Sequence, residues 1–215
     1  MTVSSQTPVD PPQNALGRAA LLRATIDVGL ALGLSGITSR SVAEAAGVAH
    51  SLVRYHFGSV DALITEALSL AIDEGIENAR ALAEVPSLTE FTRNLARSVT
   101  DSRDTHAFLY EAILESRRRP ELVPQVKRYY REYREALSAP LRALGVEDEA
   151  LLDMVLFAFE GMVFKEVTDS DQRRTREAIR QLRSIVARES GVRLTPPADD
   201  DWYGAGRPEH RPGNV

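Results

Sequence analysis

The chain has 215 residues, with 26 Lys and Arg against 31 Asp and Glu, a net charge of −5 and no cysteine. The missing cysteines exclude a disulfide scaffold, a thiolate nucleophile, an iron–sulfur cluster and Cys-ligated zinc, while 43% apolar residues suffice for a buried core. The densest apolar stretch, 151–167, is interrupted by Asp153, Glu160, Lys165 and Glu166, and the N-terminal MTVSSQTPVDPPQN has neither a basic start nor an apolar centre; no membrane span and no secretory signal are expected, and the cytoplasm is the expected location.

Residues 1–14 hold three prolines among small polar residues and read as a flexible arm. A helix is expected over 16–33, with Leu22, Ile26, Gly29 and Leu30 on one face, and Gly33 and Gly36 turn the chain after it. Thr38 is placed to cap a short second helix over 39–46, which Gly47 breaks. A third helix follows over 50–57, ended by Gly58, and Ser59 caps a long fourth from Val60 to about Leu82.

The same text continues beyond. Pro86 and Ser87 open a fifth helix reaching Asp101, with the stripe Leu88, Phe91, Leu95 and Val99. A sixth, over 105–118, carries Phe108, Leu109, Ala112 and Ile113. Pro120 opens a seventh, whose stripe Leu122, Val126, Tyr129, Tyr133, Leu137, Leu141 and Leu144 runs to Gly145. An eighth, over 148–168, is apolar on most faces and needs cover on both sides. A ninth, over 171–189, sets Ala178, Leu182, Ile185 and Val186 on one face and six arginines elsewhere. Residues 191–215 hold four prolines and four glycines and read as a disordered tail, with Trp202 and Tyr203 inside it. No period-2 strand pattern appears, so the fold class is all-α with about nine helices.

The informative stretch is Ile37–Asp61, ITSRSVAEAAGVAHSLVRYHFGSVD. It reads as two short helices joined at Gly47. Val42, Ala43 and Ala46 face inward on the first, Val48 closes the turn, and Val53 and Phe57 anchor the second. Small Ala43 permits the close approach that a helix-turn-helix requires. Anchored so, the second helix projects His50, Ser51, Arg54 and Tyr55 outward, with Leu52 and His56 beside them. Donors, acceptors and aromatics on one short exposed helix suit base edges and phosphates. Ser39 and Arg40 start the first helix of the pair, where free N–H groups and a guanidinium can meet a phosphate. Bulk charge does not drive this. Residues 1–60 carry four arginines against three carboxylates, and the acidic excess, 28 against 22, lies in 61–215.

These residues give the chain its resemblance to the TetR family of bacterial transcriptional regulators. The pattern comprises 18–24, Gly33, Gly36–Ile37–Thr38, Val42–Ala43, Ala46–Gly47–Val48, the run LVRYHFGS at 52–59, and Asp61–Leu63, and it covers about residues 15–65. The resemblance implies that His50, Ser51 and Leu52 face bases, that Arg54, Tyr55 and His56 grip phosphate or reach a base, and that Ser39, Arg40 and Arg18 contact the DNA backbone. Two positions depart from the pattern: Val60 stands where a phosphate-binding basic residue is common, and Arg54 where tyrosine is frequent. The implied organisation is a helix-turn-helix domain over 15–60 and an effector-binding and dimerisation domain over 61–190. The implied function is a homodimeric regulator, in first place a repressor, released from a palindromic operator by a small, mostly apolar effector.

Helices eight and nine are the expected dimer elements, since two from each subunit make a four-helix bundle around a two-fold axis. Phe108, Leu109, Ile113, Tyr129, Tyr130, Tyr133, Phe157 and Met162 are the candidate pocket-lining residues, against the simpler reading of an aromatic stripe as plain core. No enzyme motif, catalytic residue, cofactor or metal is expected: no Gly-rich phosphate loop and no G-x-S-x-G occurs, and His50 and His56 stand six apart where helical metal pairs stand four apart. Arg117–Arg119 reads as a complement to a helix C-terminus before Pro120. The competing function keeps the fold and dispenses with the effector, either constitutively or by gating through a protein partner. A helical enzyme or adaptor with an incidental helix-turn-helix would show no salt-sensitive DNA binding.

Overall fold

The computed structural model describes residues 11–81, 85, 87–101 and 103–194, and all regular structure among them is helical. The nine helices are α1 (Pro11–Leu32), α2 (Ser39–Ala45), α3 (Ser51–Phe57), α4 (Val60–Arg80), α5 (Leu88–Asp101), α6 (Arg103–Glu115), α7 (Val123–Ala143), α8 (Glu149–Thr168) and α9 (Gln172–Ser190). Short 3-10 turns at Leu34–Gly36 and Pro120–Leu122 precede α2 and α7. The all-α expectation holds, and most helix boundaries fall within two residues of those read from the sequence.

The largest difference is at the start. Residues 11–14, expected in a flexible arm, are the first turn of α1. Proline is tolerated there because the first-turn N–H groups lack an intrahelical acceptor anyway, and its fixed φ suits the helix. The rest of the arm, Trp202, Tyr203 and the bulk of the tail lie outside the described residues. Pro120 opens a 3-10 turn and α7 begins only at Val123. In α9 the buried register is Ile179, Leu182 and Val186, while Ala178 is exposed. The larger branched side chain takes the core, since its burial is worth more.

The chain divides into two compact units: residues 1–81 with 102–136, and residues 82–101 with 137–215. In the first, α4 packs against α1, α3 and α6. Its core includes Leu21, Leu63, Ile64, Leu68, Ile72, Phe108 and Leu109, none more than 1% exposed. Each such side chain contributes about 1.5–3 kcal/mol relative to exposure. Gly29 lets α1 approach α6: a Cβ there would sit 2.7 Å from Cε2 of the fully buried Phe108. Arg23 on α1 reaches Glu74 on α4 through Nη1 at 3.0 Å and Nη2 at 2.5 Å, and Arg128 on α7 reaches Asp73 at 2.7 Å.

In the second unit α5, α8 and α9 pack on one another, with Phe91, Leu95, Phe159 and Ile179 fully or almost fully buried. Asp148 caps α8 by accepting from the backbone N–H of Ala150 at 2.8 Å and Leu151 at 3.2 Å, and Arg142 holds Glu149 at 3.1 Å. Glu166 is buried and accepts the Ser170 hydroxyl at 2.5 Å.

Candidate nucleic-acid interface

The 37–61 segment folds as its turn chemistry dictates. Thr38, in extended conformation, accepts the Ser41 N–H at 3.0 Å, and its own N–H donates to the Ser41 hydroxyl at 2.9 Å, a reciprocal cap on α2. Gly47 follows α2 with φ 66°, a left-handed angle that β-carbon sterics disfavour for other residues. The Val48 N–H then donates to Ala43 O at 2.9 Å, which closes the turn. Gly58, with φ 75°, ends α3, and Ser59 starts α4 by accepting the Ala62 N–H at 3.1 Å.

Two small faces hold α2 and α3 together. Val42 and Ala43 are buried on α2, and Val53 and Phe57 on α3. The remainder of α3 faces outward. His50, Ser51, Arg54 and Tyr55 are exposed, Tyr55 at 66%, while Leu52 and His56 are half-buried. On α2, Arg40 is exposed and Ser39 half-buried. Among the described residues neither Arg40 nor Arg54 has a side-chain ion pair or hydrogen bond. Arg80, Arg97, Arg117, Lys127, Arg173 and Arg193 are likewise without such a partner, while the other described basic residues are mostly engaged. Arg119, Arg128, Arg142, Lys165, Arg174, Arg180 and Arg188 are each paired with a carboxylate.

Two of the predicted contact residues also have partners within the domain. Arg18 forms an ion pair with Glu66 on α4, and its guanidinium carbon lies 5.1 Å from the centroid of the Phe57 ring. It therefore ties α1 to α3 and α4 while 44% of its side chain stays exposed. The His56 ring lies edge-on to Tyr55, with centroids 5.0 Å apart, and beside Gly17 of α1. Glu66 is the residue that sequence reasoning missed. No local spacing signals a pair 48 residues apart.

The candidate pocket residues divide between the two units. Phe108, Leu109, Tyr129 and Tyr133 are buried in the first, where Tyr129 and Tyr133 stack with centroids 5.0 Å apart. Ile113 is half-buried there and Tyr130 is 41% exposed. Phe157 and Met162 belong to the second unit. Phe157 is 66% exposed, and Met162 packs on Ala96 and Ile179. Met162 also lines a cleft of about 250 Å³ between α8 and α9, with Gly161, Lys165, Arg174 and Ala178. Along α8 the exposed Met154, Phe157 and Phe164 form, with Gly161, one stripe at helical spacing.

Residues 83–188 match the tetracyclin repressor-like C-terminal domain family. Among solved structures, a transcriptional regulator from Rhodococcus sp. Rha1 superposes with TM-score 0.70 at 19% identity, over 82% of this chain and 99% of that one. The multidrug binding protein EbrR, solved with imidazole and also with proflavin, gives TM-score 0.58 at 27% identity in its imidazole complex, over 85% of this chain and 96% of that one. A regulator from Saccharomonospora viridis in complex with choline gives 0.66 at 16% identity, over 80% and 96%. No curated protein sequence matches the chain. The chain thus joins a helix-turn-helix to a tetracyclin repressor-like C-terminal domain over residues 83–188, in the all-α fold that these structures share.

Proposed function

We propose that this protein is a homodimeric repressor that reads a short palindromic operator with α3 and releases it on binding a small, largely apolar effector. The observation that carries the reading is the outer face of α2 and α3. Two arginines without side-chain partners among the described residues stand there beside His50, Ser51 and Tyr55, on a helix whose other side is locked by Val53 and Phe57. Unpaired guanidiniums reach phosphate or a guanine edge without first breaking an internal ion pair. Ser39, Arg40, His50, Ser51, Leu52, Arg54 and Tyr55 form the contact set. Arg18, exposed and paired with Glu66, and the half-buried His56 complete the proposed set.

The dimer is assigned to α8 and α9. The stripe of Met154, Phe157, Gly161 and Phe164 is apolar and open, which suits burial against the same surface of a second copy. Two α3 helices about 34–36 Å apart would meet successive major grooves on one face of a duplex. For the effector, the support is the imidazole, proflavin and choline complexes of the relatives and the buried aromatic groups of the first unit, Phe108, Tyr129 and Tyr133. Release requires the effector to bind a state unfit for DNA more tightly than the operator-bound state.

The deciding experiment is selection of duplexes from a random pool by the purified protein at about 150 mM salt, where unspecific phosphate attraction is much weakened. Enrichment of a palindrome with half-sites about one helical turn apart is the expected result. Binding that yields no shared sequence and fades as salt rises would overturn the proposal.

A further inference from the structure

The corner where α6 gives way to α7 lies against both ends of the helix-turn-helix. Arg119 sits at that corner with only 20% of its side chain exposed. Its Nη2 donates to Asp61, in the first turn of α4, and its Nε donates to Glu121 at 3.0 Å. Its backbone is fixed on both sides. The Arg119 N–H donates to Glu115 O at 3.0 Å, and Arg119 O accepts the N–H of the fully buried Leu122 at 3.0 Å. Hydrogen bonds from its own backbone N–H and from Arg119 hold the Glu121 carboxyl below the usual carboxylate range, so it stays ionised as the second anchor.

Asp61 is the exit of the reading motif. Only Gly58 and Ser59 separate α3 from α4, a link that spans at most about 7 Å. Any tilt of the first turn of α4 therefore moves α3. The entry lies beside the same corner. A cleft of about 300 Å³ is lined by Leu34 and Ser35, which lead into α2, and by Glu111, Leu114, Glu115 and Arg119.

We propose that Arg119 is a positioning residue for DNA reading: by holding Asp61 against the α6–α7 corner it sets the angle at which α3 is presented. The proposal rests on the DNA-binding reading above. It carries a sign that a plain charge effect does not. Asp61→Asn removes a negative charge four residues beyond the end of α3, and charge alone would tighten binding to any duplex. Loss of the Arg119 bond instead lets α4 drift and weakens binding to the operator only.

The test measures affinity of the full chain for its selected duplex and for a scrambled one, using wild type, Asp61→Asn, Arg119→Gln and the double variant. Each single change is expected to weaken operator binding by about three- to tenfold, the scale of one partly buried ion pair. The double variant is expected to be no weaker than the worse single, because both remove the same bond. Asp61→Asn should leave the scrambled duplex bound at least as well as wild type binds it. Asp61 is exposed, so that variant folds, and its melting curve checks this. Asp61→Asn binding the operator as tightly as wild type, or additive losses in the double variant, would overturn the proposal while leaving the DNA-binding reading intact. Wild type binding no selected duplex would overturn both.

Discussion

Helix α3 buries Val53 and Phe57 and sets Arg54 and Tyr55 in solvent; helix α8 buries Leu152, Val155, Phe159 and Val163 and sets Met154, Phe157 and Phe164 in solvent. Both helices are held from one side and open on the other. Seven residues and two anchors suffice for α3 because α4 and α2 pack directly on it. Twenty residues are needed in α8, which carries apolar groups on nearly every side. Net charge hides the contrast, since the chain is acidic as a whole. What separates the two surfaces is the chemistry left exposed. A polar face with two unpaired guanidiniums suits a polyanion, and an apolar stripe suits another protein surface.

The strongest way to break the comparison is to make the α8 stripe polar. Phe157→Glu puts a carboxylate at the centre of the proposed dimer face, at a site exposed in the single chain. The subunit should fold with little change in melting temperature. Two such charges brought together across a two-fold axis are strongly unfavourable, so sedimentation should show a monomer. Operator binding should fall by about a hundredfold or more, because one half-site then binds alone. A Phe157→Glu dimer of unchanged stability would move the interface away from α8.

A smaller effect is expected on α3. Arg54→Ala should weaken operator binding by about tenfold to a hundredfold and flatten the slope of log affinity against log salt by roughly one unit if the contact is to phosphate. Val60→Lys supplies a cation at the start of α4 and should steepen the same slope by a similar amount. A slope unchanged in both variants would take the DNA face away from this end of the domain. Arg18→Ala is the informative contrast. Arg18 is engaged by Glu66 and Phe57, so its loss should register as lost stability more than as lost salt dependence.

The helix-turn-helix was legible because its signals are local. Thr38, Gly47, Gly58 and Ser59 each act within a few residues, through a cap or a positive φ, and Val42, Val53 and Phe57 repeat at helical spacing. The exposure of His50, Ser51, Arg54 and Tyr55 follows from those anchors. The C-terminal helices were legible one by one for the same reason, except where local spacing admitted two registers, as with Ala178 and Ile179. Their partners were not. Arg18 with Glu66 and Arg119 with Asp61 join residues 48 and 58 apart, and nothing in a one-dimensional pattern chooses between a guanidinium aimed at DNA and one aimed at a neighbouring helix. The pocket residues failed to resolve for a related reason. A buried aromatic reads the same whether it lines a cavity or fills one.

Glu160 gives the finest test of what the α8 surface is for. It lies on α8 between Phe157 and Gly161, is half-buried, and burial pushes its carboxyl above the usual carboxylate range. A carboxyl raised in the folded state binds its proton more tightly there than in the unfolded chain. Its contribution therefore favours folding at low pH and is lost as pH rises through the raised value. Glu160→Gln removes that dependence. At pH 7.5 the variant should melt higher than wild type by no more than about 2 °C, and the gap should close as pH falls toward about 4, where both chains carry a neutral group. If α8 is the dimer face, a second copy removes more water from Glu160, and the gap should widen at protein concentrations where the dimer dominates. A gap that ignores concentration would mean that Glu160 is desolvated by its own subunit alone. The partner surface would then lie on the other side of the stripe, toward Lys165 and Arg174.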